Sequence, residues 1–540
     1  MIPTAGLDES LVADDHRYMP KASEVLTQPN AIINRFFPDP PVIIETPAFS
    51  TRNRFTSQHE MLGFIDRLRI RTSHLHVLNL GFSQQGRRIP MLVFTLAPGG
   101  TAQHLIETGK PTVWVHAQLH GNEPAAGEGA LALAGQLADK LVYVLDRINV
   151  VIVPRVNVDG SAFFERNASN QRDLNRDSLR LDVQESLALR RTNIAYGPAV
   201  TVDAHEYYAA RRSLSVLGES QYLESHDLLV QGAENGNVPR RLRELTSGVF
   251  LNNIVRDSHA AGLRVHPYYT VRIHEAEEGG GRYRVALASG GSDARIGRNF
   301  HGLLNQVSIL LESRGIGIGR QSFRRRVYSQ LVAMQSVIET AYRKAPELLQ
   351  TIRDAQAEVV AQGAVTGDSD PLILRSRRTE IDSYVIPYIN TSTRQAELIE
   401  TRYLSFDPLV PVLERERPFA YILTPEARAA VVRLEAFGVQ VLPLGEARLL
   451  PVEAFRVVEA RHESRPYEGV LRRRTRIVME EKILEVPSGS SIVYMSQPLG
   501  NLIAELLEPE AGDSFVTFGV LKSTLDQLLP IYRYMDPLGV

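Results

Sequence analysis

The chain reads as an α/β protein, with a mixed, largely parallel sheet flanked by helices, plus a smaller α+β C-terminal domain. Three observations predict this. First, four runs, "PTVWVHA", "INVVIVPRVN", "AVTVDAHEY" and "QVSILLESRG", are almost wholly apolar, as strands covered on both faces are. Second, helical segments alternate with them, the pattern of strands and crossover helices. Third, after "GAVTGDSDP" the pattern changes to a compact βαβ-like unit followed by mostly strand-like runs.

Taken in order, residues 1–45 are Pro-rich and weakly patterned, and are expected to form an extended N-terminal arm. The main domain spans 46–365. Its first helix is expected over "FTSQHEMLGFIDRLR". There Ser57 and Glu60 have capping-box spacing, and Met61, Phe64, Ile65 and Leu68 recur at helical spacing. "HVLNLGFSQQGRRIPMLVFTL" places two strand-like runs around a polar turn with Gly86, a hairpin. "PAAGEGALALAGQLA" is a helix with Pro124 in its first turn. Phe323 to Gly363 is helical with a break at Pro346. The second region, 370–540, opens its βαβ-like unit with "FAYILTPEARAAVVRLEAFGVQVLPL". Thr424 suits the N-cap, Pro425 the first helical position and Gly438 the stop.

Composition narrows the function. A length of 540 residues implies two to four domains. The net charge of −2 argues against a nucleic-acid or anionic-membrane partner. With no cysteine, disulfides, thiol nucleophiles and cysteine-ligated zinc are excluded, so a metal site must use His, Asp and Glu. No apolar run reaches the roughly 18 residues of a membrane span. The start lacks the pattern of a signal peptide, which fits a cytoplasmic protein or a mature chain without its signal.

The chemistry-bearing residues lie at the carboxyl ends of the apolar runs, where open α/β sheets bind ligands. In "HGNE" a strand-to-helix turn carries His120 and Glu123. Two His and one carboxylate make a common zinc site, while a turn histidine followed by a dipole-complementing glutamate is the plain alternative. His116, inside the strand, is read as a core or supporting histidine. "TVDAHEYY" offers His205, with Asp203 on the same strand face and unassigned. "FFERNASNQRDLNRD" gathers Arg166, Arg172, Asn175 and Arg176. Guanidinium and amide donors suit a carboxylate, and a solvated loop is the alternative. Glu312 ends a buried run in "QVSILLESRG", where a carboxylate is costly unless paired or functional.

The order HGNE, VNVDG, DLNRD, DAHEY, LLESRG resembles the zinc carboxypeptidase family, the metallopeptidases related to carboxypeptidase A, over about residues 50–320. The resemblance implies one zinc ion bound by His120, Glu123 and His205. It also implies Glu312 as the general base, Arg166 polarising the scissile carbonyl, Asn175 and Arg176 holding the substrate's terminal carboxylate, and Asp173 orienting His120. The substrate would be a peptide or another small carboxylate-bearing molecule, in a secreted or periplasmic setting by family analogy. Departures are Val158 in Asn157-Val158-Asp159-Gly160, Asn122 before the glutamate ligand, and no tyrosine where the family's capping tyrosine is expected. Tyr268, Tyr269 and Tyr283 are candidates for that role, and "HEAEEGGGRYR" is a pocket loop or a solvated one. Two rivals remain: a zinc amidohydrolase of N-acyl amino acids resembling succinylglutamate desuccinylase and aspartoacylase, against which "DAHE" and the chain length argue, and a non-catalytic binding module.

Overall fold

The computed structural model describes residues 17–50, 54–217, 221–273, 285–367 and 370–536. The strands of the first half are β1 (Leu75–Phe82), β2 (Arg88–Phe94), β3 (Thr112–Ala117), β4 (Asn149–Val153), β5 (Val200–Tyr208), β6 (Tyr222–Glu224), β7 (Leu228–Gln231), β8 (Val265–Pro267), β9 (Tyr269–Ile273), β10 (Val285–Ser289) and β11 (Val307–Ile316). Eight of them form one sheet in the order β1-β2-β4-β3-β5-β11-β7-β8. Its centre, β4-β3-β5-β11, is parallel, and antiparallel pairs flank it. This is the mixed, largely parallel sheet expected. After β3 the chain crosses to β4 on one side and later to β5 on the other, so a topological switch point lies between β3 and β5.

Alternation along the central strands sorts two faces. Val113, Val115, Val200, Val202, Ala204, Val307, Ile309 and Leu311 are buried in one apolar cluster with the helices Pro124–Leu137 and Phe323–Arg343. The other face carries Trp114, His116, Thr201, Asp203, His205 and Glu312. Trp114 is fully buried there, edge-on to Tyr196 at 5.8 Å. Register aligns the polar members: His116 pairs with Asp203, and His205 with Glu312.

The local signals act as expected. Ser57 caps the helix Gln58–Arg71 in a capping box with Glu60, and Gly86 turns the β1–β2 hairpin at φ 79°. The long helical segment divides into Phe323–Arg343 and Ala345–Gly363, with Pro346 in the second helix's first turn.

Two regions differ from expectation. Within the expected N-terminal arm, Asn30–Phe36 is helical, and Ile32 and Phe37 are buried with Leu223 and Ile389. After the linker, β12 (Leu372–Asn390) and β13 (Gln395–Arg415) form a long hairpin that joins β6, β9 and β10 in a five-stranded sheet. The strands past residue 370 are thus shared between the two halves. The remaining strands, β14 (Ala420–Leu423), β15 (Leu442–Pro443), β16 (Arg448–His462), β17 (Arg473–Val486), β18 (Ser491–Tyr494) and β19 (Leu528–Tyr534), make a separate six-stranded sheet. There β18 lies between β14 and β15, and Gly438 follows the crossover helix at φ 80°. Among the described residues no helix is long and apolar enough to cross a membrane.

Candidate active site

The HGNE turn is built by interlocking backbones. A Cβ on Gly121 would lie 2.1 Å from the Gly160 carbonyl carbon and 2.5 Å from Glu165 O, so only glycine fits. Asn157 makes the opposing turn: its Oδ1 accepts from Gly160 N at 2.8 Å, and its own N–H donates to Gln118 O at 3.0 Å. The VNVDG segment therefore fixes where His120 stands. Glu123 sits at the N-cap of the helix Pro124–Leu137.

His120, Glu123 and His205 come together, their ligand atoms all within 4.8 Å of one another. His120 Nδ1 is 2.7 Å from Glu123 Oε1, His205 Nδ1 is 2.8 Å from Glu123 Oε2, and the two Nδ1 atoms are 3.1 Å apart. All three residues are buried. Both imidazoles turn Nδ1 toward the common point and Nε2 toward a carboxylate. His120 Nε2 is 3.1 Å from Asp173 Oδ1, and His205 Nε2 is 2.7 Å from Asp203 Oδ1. Such partners set ring orientation and raise ligand basicity. Burial works against ionising Glu123, yet His120 and His205 bring its carboxyl down to about 2. Burial likewise opposes the charge of Asp173, but His120, Arg166 and Arg176 hold it well below the usual carboxylate range. Asp203, unassigned from sequence, also lies 3.1 Å from His116 Nε2, so His116 stands behind the site without reaching the cluster.

Arg166 spans Asp173 and Glu123, with Nη2 2.8 Å from Asp173 Oδ2 and Nη1 3.5 Å from Glu123 Oε1, and its side chain is 37% exposed. Glu312 lies on the rung next to His205. Burial, with Glu123's charge, pushes Glu312 up to about 7 against the pull of His205, His120 and Arg166. Asn175 is occupied by protein groups: its Nδ2 is 2.9 Å from His205 Nε2 and 3.3 Å from Asp203 Oδ2, while its Oδ1 accepts from Gly297 N at 2.8 Å. Arg176 donates Nη1 to Asn175 O at 2.9 Å and, among the described residues, has no carboxylate within ion-pair distance.

Of the candidate tyrosines, Tyr269 is buried with its hydroxyl donating to Glu224 at 2.5 Å, away from the site. Tyr268 is half-buried, and burial followed by the charge of Glu312 pushes its phenol up. Tyr283 and the loop "HEAEEGGGRYR" lie outside the described residues. Sequence reading passed over Glu206. Its main-chain N–H donates to Glu123 Oε2 at 3.2 Å, and its carboxylate accepts from Ala125 N at 2.9 Å and pairs with Arg326 at 2.8 Å. Its place directly after His205 was its only signal.

The chain is similar to known proteins. The family model described as zinc carboxypeptidase matches residues 61–205. Carboxypeptidase 2 of Trichophyton rubrum is 31% identical over 484 residues, covering 88% of this chain and 86% of that protein. Carboxypeptidase 2 of Trichophyton equinum is 31% identical over 482 residues, with the same shares of 88% and 86%. A solved metallo-carboxypeptidase from Burkholderia cenocepacia is 18% identical with a TM-score of 0.39, over 53% of this chain and 69% of that one. The likeness to the Trichophyton proteins covers too large a share of the chain to leave out its C-terminal region, and on that likeness the chain belongs to the zinc carboxypeptidase family, as a metallocarboxypeptidase.

Proposed function

We propose that this protein hydrolyses the amide bond next to a free terminal carboxylate of a peptide, with one zinc ion held by His120, Glu123 and His205. The observation that carries the reading is the convergence of two imidazole Nδ1 atoms and one buried carboxylate on a single point, with each outer nitrogen against its own aspartate. Two ring nitrogens facing each other at 3.1 Å beside a carboxylate form a donor set that a dication satisfies. The residues therefore fit the ion that the family implies.

Zinc, when bound, supplies Lewis-acid polarisation of a carbonyl and of a water molecule. The chain's own residues do the rest. Glu312 accepts the proton of the attacking water as its oxygen joins the carbonyl carbon. It then delivers that proton to the amine nitrogen as the C–N bond breaks. Arg166, held between Asp173 and Glu123 and still 37% exposed, faces the oxygen on which negative charge develops. Arg176, a half-buried cation without a carboxylate partner among the described residues, takes the substrate's terminal carboxylate. Asn175 holds the Arg176 segment against His205 and Gly297, which supports a positioning role for it beside Arg176. Asp173 and Asp203 orient His120 and His205.

The test is a set of small peptides with free or amidated C-termini, with N-acyl amino acids alongside, each with and without a chelator. Free-carboxylate peptides are expected to be cleaved, amidated ones spared, and the chelator to stop cleavage. Equal cleavage of amidated peptides, or hydrolysis that survives metal removal, would sink the proposal. Preference for N-acyl amino acids would favour the amidohydrolase reading. Arg176→Ala is expected to raise KM more than it lowers kcat, about 10–100-fold, since removing one partner of a charge-assisted pair typically costs a few kcal/mol. A change in kcat alone would remove Arg176 from carboxylate binding.

A further inference from the structure

We infer that the C-terminal domain is a working part of the catalytic site, and that Glu468, on the loop between β16 and β17, is the positioning residue through which it acts. This rests on the zinc and substrate roles proposed above. Tyr467 and Val470 exchange both main-chain hydrogen bonds, at 2.8 and 3.0 Å, closing a two-residue turn. Its two central residues, Glu468 and Gly469, both have positive φ, 48° and 73°. That is the primed turn of tight hairpins, which favours Asn, Asp or Gly at the first central place. Glutamate there breaks the local rule, and such breaks cluster at functional positions.

What the glutamate does at that position is visible. Its Oε2 accepts the main-chain N–H of Asp173 at 2.8 Å, across 295 residues of sequence. Asp173 is a hub. Its carboxylate meets His120 Nε2 at 3.1 Å, Arg166 Nη2 at 2.8 Å and Asn175 N at 2.8 Å. One hydrogen bond from the C-terminal domain thus holds the backbone of the residue that orients a metal ligand, the carbonyl-facing arginine and the segment leading to Arg176.

The turn is itself pinned to the catalytic half. Arg180 Nη1 donates to Glu468 O at 3.0 Å, and Gly469 packs against the Arg172 guanidinium, where a Cβ would lie 3.0 Å from Arg172 Nη2. Arg295 Nε donates to the Tyr467 hydroxyl at 3.0 Å, with its guanidinium over that ring, and pairs with Asp513 at 2.5 Å. Farther along, Arg433 donates to Arg180 O at 3.2 Å and reaches Asp182 at 3.3 Å. Residues 172–182 are therefore gripped from the C-terminal domain at several points, and Glu468 is the contact nearest the chemistry.

The test uses the full chain with Glu468→Ala and Glu468→Gln, read by zinc affinity in chelator competition, by kcat and KM, and by melting temperature. Removing a group that supports a metal ligand typically costs about 10–100-fold in affinity or activity. Glu468 acts one residue farther out, so about tenfold is expected for Glu468→Ala in both zinc affinity and kcat, with melting unchanged because the side chain is half-exposed. Glu468→Gln keeps a carbonyl oxygen to accept the Asp173 N–H and should restore both to within about threefold. Zinc affinity and kcat within twofold of the parent in Glu468→Ala would overturn the inference. So would equal losses in the two variants, which would make the charge rather than the acceptor responsible. Failure of the underlying zinc reading shows separately, as a parent protein that takes up no zinc or keeps its activity after chelation.

Discussion

Glu312→Gln is expected to lower kcat by about 10²–10⁴-fold, the usual contribution of a positioned general base, while zinc uptake and folding stay intact. The amide has nearly the shape of the carboxylate but cannot accept a proton. Glu312 lies beside the cluster without being one of its three ligand residues, so metal content should not change. Burial also removes the simplest structural alternative. A half-buried carboxylate that, among the described residues, has no salt-bridge partner and is pushed up by desolvation destabilises the fold at pH values where it is charged, so the neutral amide should leave the melting temperature unchanged or raise it. A variant that is both inactive and less stable would point to a structural role instead.

The same carboxyl sets the acid limb of the pH profile. In the metal-free cluster it is pushed up to about 7, and a nearby dication favours the ionised form, which moves the value down. The base works only when ionised. Thus kcat/KM should fall as pH drops through a value below about 7, and the limb should vanish from the residual activity of Glu312→Gln. A limb that stays at the same pH in the variant would assign it to another group.

Much of this site was legible because the residues that build it are local anomalies. Histidine and glutamate stand at the ends of runs that are otherwise apolar, and a strand buried on both faces has little reason to carry Thr201, Asp203 and His205 on alternate positions unless one face does something other than pack. That period of two, read together with the apolar set Val200, Val202 and Ala204, already separates the catalytic face from the core face. Caps and turns at Ser57, Pro124 and Gly438 were legible for the same reason, since their chemistry is complete within a few residues. What could not be read depends on long-range pairing. Asp203 is a plausible partner for many groups until β3 and β5 are set side by side, which places it between His116 and His205. The engagement of Asn175 with Gly297 needs a helix 122 residues away. The hairpin of β12 and β13 carries polar residues on both faces, so no periodicity announced that it joins β6 and β10. The meeting of Glu468 with Asp173 joins parts of the chain that no local pattern connects.

Glu123→Ala is expected to abolish stoichiometric zinc binding, and with it all peptide cleavage. The loss should exceed the about 10–100-fold that removing a supporting partner costs, because a ligand itself is lost and because Glu123 supplies the only negative charge in the donor set. Without it, His120 and His205 face each other at 3.1 Å with Arg166 Nη1 3.5 Å from the vacated carboxylate position. Three groups that are or can become cationic then share one buried space, and a dication would add to their repulsion. The other two ligands can be lost with smaller electrostatic consequence: His120→Ala or His205→Ala removes a neutral donor and leaves the carboxylate in place, so residual weak zinc binding should survive in either. The ordering is the useful part. Metal titration of the three variants should rank Glu123→Ala below both histidine variants, and a result in which Glu123→Ala binds zinc as well as either of them would mean that another carboxylate completes the site.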